Sequence, residues 1–151
     1  MVEYKRMDKK KKGSKKEIYR VFIGLHRISP QSVAYSTVVQ TSDRQLYSNS
    51  HRIAESPRSK TIGNHRVNLL AIESFLNDFT KDKHGRCTVK IYCKDDFVGF
   101  EYNSEYLKDK SFSPDTRDID VWTRIVAVIE DKKVDVVIDD GSSVLGGLVG
   151  L

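Results

Sequence analysis

The sequence predicts an α/β fold: a mixed five-stranded sheet, three antiparallel strands and then parallel ones, flanked by helices. Two observations carry this. Apolar residues alternate with a period of two through Ala54, and the period turns helical from Asn64. Beyond that point helical and strand-like segments take turns, so the full order is β-β-β-α-β-α-α-β, which suits helices packed on a sheet. The length of 151 residues is enough for one domain with a single core.

The first strand is "EIYRVFIGLHRI", with Tyr19, Val21 and Ile23 on one side, and Ser29-Pro30 ends it. "SVAYSTVVQT", Ser32 to Thr41, is β-branched and alternating. After the turn "SDRQ" comes a weaker strand, Gln45 to Ala54. Strands so close in sequence form an antiparallel meander. After a loop, Glu55 to Asn64, the residues Val67, Leu70, Ala71, Ser74, Phe75 and Asp78 share one helical face. Leu69, Ile72 and Leu76 lie beside it, which predicts a mostly buried helix with Asn64 as its N-cap. "CTVKIYC", Cys87 to Cys93, is a strand, expected to return parallel to the first. The next helix starts at an Asp95 cap and carries Phe97, Val98, Glu101, Tyr102 and Leu107. "DIDVWTRIVAVIED" is a third helix, with Val121, Trp122, Ile125, Val128 and Ile129 as its stripe, and Trp122 is expected to anchor the core. "KKVDVVIDD" is the last strand.

Charge is unevenly spread. The net charge is +5, yet Lys5 to Glu17 alone holds eight Lys or Arg against two acids, so the rest of the chain is close to neutral. Such a polar, unperiodic run cannot bury enough apolar area to offset its ordering entropy. The expected organisation is a disordered basic arm over 1–17, a folded domain over 18–141 and a Gly-rich apolar tail, "VLGGLVGL", within 142–151. The tail suits docking on another chain or burial on its own core equally. Cys87 and Cys93 fit reduced thiols. No apolar region follows the charged start and no run of 18 apolar residues exists, so neither a secretory leader nor a membrane span is expected. A cytoplasmic or other intracellular location follows.

The local text resembles the ribonuclease H-like superfamily. "GNHRVNLLAI" resembles the opening of its first helix, with Asn64, Arg66 and Leu69 matching and Asn68 where the family has a catalytic glutamate. "VKIYCKDDFV" resembles its fourth strand, with Lys94 at the catalytic aspartate. "DIDVWTRIVAVI" resembles its Asp-Leu-Trp helix, through Asp120, Val121 and Trp122, and "KKVDVVIDDG" resembles its last strand. The Asp-Gly step of the family's first strand falls near Ile23-Gly24. The family continues into a loop and helix with a last aspartate, for which the sequence offers no match. The resemblance implies a degenerate member: two-metal hydrolysis needs several carboxylate oxygens at ~2.1 Å from Mg²⁺. An Asn offers one weak oxygen and a Lys puts a positive charge where a metal would sit. No catalytic residue, metal or cofactor is therefore expected, and Lys94 is a candidate to meet a phosphate instead.

A rival reading moves the acids. Asp95, Asp96, Asp139 and Asp140 all follow or end predicted strands, and there they would make a nuclease dependent on Mg²⁺ or Mn²⁺. Helix caps and turns need such residues far more often. For binding, the arm lysines Lys9, Lys10, Lys11, Lys12, Lys15 and Lys16 neutralise phosphates without reading sequence. Tyr102 and Tyr106 with Lys108 and Lys110 are a candidate aromatic, basic rim. His26, His51, His65 and His84 have no ligand spacing and read as surface or loop residues, and Gly146, Gly147 and Gly150 make no phosphate loop. The expected partner is nucleic acid (RNA, DNA or their hybrid), in a setting such as a viral or phage nucleoprotein complex. The alternative is a protein-interaction module, with a protein partner or self-association.

Overall fold

A computed structural model describes residues 17–41, 43, 45–79 and 87–140, with the side chains of Asp96 and Asp140 excepted. The elements run in the expected order. Strands β1 (Glu17–Ser29), β2 (Ser32–Gln40) and β3 (Leu46–Glu55) precede helix α1 (Asn64–Asp78) and strand β4 (Cys87–Cys93). Helix α2 (Asp96–Phe100) continues into a π-helical stretch, Glu101–Tyr106, and a last short turn, Leu107–Asp109. Helix α3 (Ile119–Lys132) and strand β5 (Asp135–Asp140) complete the domain. The basic arm, apart from Glu17, and the apolar tail lie outside the described residues.

The sheet order is β3-β2-β1-β4-β5. β1 pairs antiparallel with β2, and β2 with β3. β1 pairs parallel with β4, and β4 with β5. The crossover through α1 therefore delivers β4 beside β1, as the alternation of periods requires.

One face of the sheet carries Tyr19, Val21, Ile23, Val33, Val39, Val89, Ile91 and Ile138, all buried in a single core with the helices. Trp122 is fully buried in that core, with its ring 4.9 Å from Phe112 and 6.1 Å from Tyr102. The opposite face holds a small second cluster, Phe22 stacked on Tyr92 at 5.0 Å with Val38 against it. Cys87 and Cys93 are both buried. Six residues apart on one strand, they are separated by about 20 Å and cannot bridge to each other.

Two boundaries differ from expectation for physical reasons. Gly63, not Asn64, occupies the N-cap position of α1, and Asn64 is its first helical residue. Its side chain is engaged elsewhere: Arg27 donates to Asn64 Oδ1 at 2.8 Å and to the Ile62 carbonyl at 2.6 Å, tying the start of α1 to the end of β1. The buried face of α1 is also rotated. It includes His65 and Asn68 with Leu69, Ile72 and Leu76, whereas Leu70 and Ser74 are only half-buried and Asp78 is exposed.

α1 and α3 pack side by side, held at three levels. Arg66 donates to Asp118 and Asp120 near the N-termini. Arg124 forks onto Glu73 at 2.8 and 3.2 Å in the middle. Lys132 donates to the carbonyls of Leu76 (2.6 Å), Asn77 (2.9 Å) and Phe79 at the end. A cation among the last carbonyls of a helix satisfies acceptors that no helical N–H can reach and complements the helix dipole. Trp122→Ala is expected to lower unfolding stability by about 4 kcal/mol, because it empties the largest fully buried site in the core. Urea denaturation of the variant checks this.

Candidate nucleic-acid interface

Three elements meet at one cavity of about 330 Å³. Ile23 and Gly24 come from β1, Asn64 and Asn68 from the first turns of α1, and Lys94 and Asp95 from the step between β4 and α2. These include all the positions at which the resemblance puts acids on the matching elements, so residues up to 71 apart in sequence converge as expected. The setting is the usual one for α/β proteins, beyond the carboxyl end of a parallel strand.

The chemistry of the lining is unusual. Asn68 is 3% exposed, and among the described residues its side-chain amide has no hydrogen-bond partner. Leaving such a group unsatisfied costs about 1–3 kcal/mol. Lys94 is exposed and has no ion-pair partner among the described residues. Asn64 uses its Oδ1 to accept from Arg27, which leaves its two N–H donors. Asp95 caps α2 by accepting from the Phe97 N–H at 2.9 Å. A divalent ion held by this kind of fold needs converging carboxylates, and among the described residues the lining offers Asp95 alone, already engaged, beside an ammonium group. The described residues do not fit two Mg²⁺ ions.

Behind the cavity lies a buried ionic network. His65 is 4% exposed. Its Nε2 lies 2.7 Å from Glu101 Oε1 and its Nδ1 lies 2.8 Å from Asp118 Oδ2. Each ring nitrogen thus faces a carboxylate oxygen, an arrangement that favours the protonated ring. Burial by itself pushes the His65 pKa down, but the hydrogen bonds to Glu101 and Asp118 outweigh it and the net shift is upward. Glu101 Oε1 also accepts from Trp122 Nε1 at 2.9 Å. Arg66 bonds Asp118 at 3.0 Å and both oxygens of Asp120 at 3.0 and 2.9 Å, and that hydrogen bonding holds the Asp120 carboxyl down at about 2. Asp118 sits at the N-cap position of α3 in the left-handed region (φ 55°), yet its carboxylate serves His65 and Arg66 rather than the helix N–H groups.

Several expectations are corrected. Tyr102 and Tyr106 do not form a rim. Both are buried, stacked on each other at 5.8 Å, with Tyr102 facing Trp122 and the Tyr106 hydroxyl donating to Glu130 at 2.9 Å. Burial lifts the Tyr102 pKa to about 12. Lys108 and Lys110 are exposed, the latter with its Nζ 5.6 Å from the Tyr106 ring. The aromatic stack on Trp122 explains the difference: Tyr102 and Tyr106 recur four apart and turn inward with Glu101. Phe97 and Phe100 point the other way, 59% and 57% exposed, and the Arg117 guanidinium lies 5.5 Å from the Phe97 ring. His65 is a core residue, not a loop one, while His26 and His51 are exposed as expected and His84 lies outside the described residues.

Of the relocated acids, the side chains of Asp96 and Asp140 lie outside those described. β4 and β5 are neighbours, with Tyr92 opposite Asp139 and Cys93 opposite Asp140. Asp139 is exposed on the edge strand, whereas Asp95 lines the cavity, and Asp96 is the first residue of α2. Among the described residues, no group of three or more His, Cys, Asp or Glu is placed to hold a metal. Lys9, Lys10, Lys11, Lys12, Lys15 and Lys16 lie outside the described residues. No helix among those described is long and apolar enough to cross a membrane.

No family model and no curated protein matches the chain by sequence. Solved structures do match it by shape. The chain is similar to ribonuclease H1 from Halobacterium salinarum NRC-1, with a TM-score of 0.53 and 11% identity over 83% of this chain and 88% of that one. The fold is ribonuclease H-like. It also resembles the ribonuclease H domain of prototype foamy virus (TM-score 0.57, 15% identity, 84% and 79% covered). A third match is foamy viral protease-reverse transcriptase in complex with an RNA/DNA hybrid, at a TM-score of 0.60 and 16% identity. It covers 97% of this chain but 21% of that one. The five-stranded sheet order and the helices are thus those of ribonuclease H-like proteins, with the cavity lined as described.

His65→Leu is expected to destabilise the ribonuclease H-like domain by about 3 kcal/mol, because it leaves Glu101 buried beside no cation. The pH dependence has a defined sign. The folded His65 pKa is raised above its ordinary 6.5, so the stabilisation is fully present below that pH and lost as pH rises through the raised value. Melting temperatures from pH 6 to 9 should fall for the wild type, and a His65→Gln variant should lack that slope.

Proposed function

We propose that this protein binds nucleic acid through a ribonuclease H-like fold and does not cleave it by two-metal chemistry. The observation that carries this reading is the lining of the cavity. Where the resemblance calls for carboxylates, the chain has Ile23, Gly24, Asn68 and Lys94, and the lining presents hydrogen-bond donors instead. Hydrolysis through two Mg²⁺ ions has no ligand set among the described residues to hold them. Binding has support of a different kind. Ribonuclease H1 called LC11 and the foamy viral protease-reverse transcriptase, both similar in fold, were each solved with an RNA/DNA hybrid. The lysines of the arm supply sequence-independent phosphate contacts. Exposed Lys94, Lys108, Lys110 and Arg117, together with Phe97 and Phe100, offer the cationic and aromatic surface on which strands and bases are held.

A second reading rests on the exposed apolar residues of the α2 segment. Phe97, Phe100 and Leu107 are all exposed and would suit a protein partner. Salt separates the two readings. Nucleic-acid binding that uses the arm weakens steeply with salt, whereas docking on apolar side chains does not.

The deciding experiment titrates labelled RNA/DNA hybrid, RNA and DNA with the full chain and with a form lacking residues 1–16. Each is run with Mg²⁺, with Mn²⁺ and with chelator. Binding without cleavage is expected under all three conditions, with the truncated form retaining part of the affinity and showing a shallower salt dependence. Metal-dependent cleavage that Asp95→Asn or Asp139→Asn abolishes would overturn the reading in favour of a nuclease. Absence of any nucleic-acid binding would favour the protein partner.

A further inference from the structure

We infer that the cavity at the head of α1 is an anion site that takes a backbone phosphodiester directly, with the Lys94 ammonium standing where a ribonuclease H-like enzyme would hold metal. This rests on the nucleic-acid reading above and gives its central contact.

Three independent observations converge on that ligand. The first is an unpaired donor. The Asn68 amide is 97% buried, lines the cavity and has no partner among the described residues. Natural cores rarely tolerate such a group unless something outside the chain completes it. The second is a helix N-terminus. α1 is fifteen residues long, Gly63 gives it no side-chain cap, and its first turn holds no acid. The N–H groups of that turn have no acceptor within the helix, and the dipole there favours negative charge. The third is an exposed charge. Lys94, exposed and without an ion-pair partner among the described residues, lines the same cavity.

The geometry around these groups is set in advance. Arg27 holds Asn64 by its oxygen, which leaves that amide's N–H donors for another acceptor, and also holds the loop that leads into α1. Its further bonds to the carbonyls of Ser29 (3.0 Å) and Pro30 (3.3 Å) fix that guanidinium to the end of β1. The result is a concave cluster of donors: a Lys, two Asn amides and a helix start. Asp95 is the one acid in the cluster among the described residues, and its bond to the Phe97 N–H engages it as a cap. A phosphodiester offers acceptor oxygens and a single negative charge, which is what such a cluster lacks. Gly24 borders the space, and a methyl group built there would touch nothing within 4 Å, so the backbone leaves the mouth open.

The sign of added charge distinguishes this from a vestigial metal site. In a metal site, Asn68→Asp supplies a missing ligand and strengthens binding in Mg²⁺. In an anion site the same change repels phosphate. The test measures anisotropy of a labelled RNA/DNA hybrid with the full chain in chelator and in Mg²⁺, for the wild type and for Lys94→Gln, Asn68→Leu and Asn68→Asp. Melting temperatures control for folding. Asn68→Leu replaces an unpaired buried amide with an apolar group of like size, so it should melt no lower than the wild type. Lys94→Gln and Asn68→Leu are each expected to weaken binding about tenfold with or without metal, and Asn68→Asp by more. Lys94→Gln should also flatten the salt dependence by about one unit of slope.

Hybrid binding that is unchanged in Lys94→Gln and Asn68→Leu would overturn the inference and leave the nucleic-acid reading standing on the arm. Stronger binding by Asn68→Asp in Mg²⁺ would also overturn it. If the wild type binds no nucleic acid, the reading of function fails, and inorganic phosphate becomes the probe. Shifts of the Asn68 side-chain amide resonances in the wild type but not in Lys94→Gln would then keep an anion site, and no shifts would remove it.

Discussion

A single buried histidine organises the end of the molecule that matters. His65 reaches from the first turn of α1 to Glu101 in the π-helical stretch and to Asp118 at the head of α3. Burying these charges is expensive, and the arrangement persists because each has a partner at hydrogen-bond distance. Trp122 contributes a further N–H to Glu101, and Arg66 a guanidinium to Asp118. The two helices and the π-helical turn are therefore locked at one point. Arg27 locks the same helix start to β1. The position of the cavity follows from these two constraints, because Asn64 and Asn68 flank His65 on α1.

The segment from α2 through the π-helical stretch has a second role. An α-helix continued from Asp96 would repeat its inward residues every three or four positions. Val98, Glu101, Tyr102 and Tyr106 keep that spacing through the π-helical stretch, so a carboxylate enters the core beside an aromatic stack. Phe97 and Phe100 stay in solvent. This one segment thus supplies the acceptor for His65, packs against Trp122 and presents an exposed aromatic pair.

The likeness to ribonuclease H-like proteins concerns shape, and the charge of the cavity is this chain's own. At a few ångströms, two like charges in a partly shielded site repel by several kcal/mol. An ammonium at position 94 and a divalent ion in the same small cavity therefore oppose each other, whereas an ammonium and a phosphate attract. On the proposed reading, the cavity holds the phosphate itself.

Sequence by itself determined the architecture. The change from period two to a helical period, the β-branched strands and the turn signals at Ser29-Pro30 fix which segments form strands and helices, because these are properties of neighbours along the chain. The resemblance of "GNHRVNLLAI" and "VKIYCKDDFV" placed Asn68 and Lys94 at matching positions, and Trp122 read correctly as a core anchor. Tertiary structure decided the rest. Whether Tyr102 serves as a rim or as core depends on Tyr106 and Trp122, which stack on it only in the folded chain. Whether His65 is a loop histidine or a buried one depends on two carboxylates 36 and 53 residues away. Asn64 reads as a cap until Arg27, from another strand, takes its oxygen. The empty hydrogen bonds of Asn68 exist only once the helix is seated on the sheet. Contacts that cross the fold set these properties, and only the folded chain brings their partners within reach.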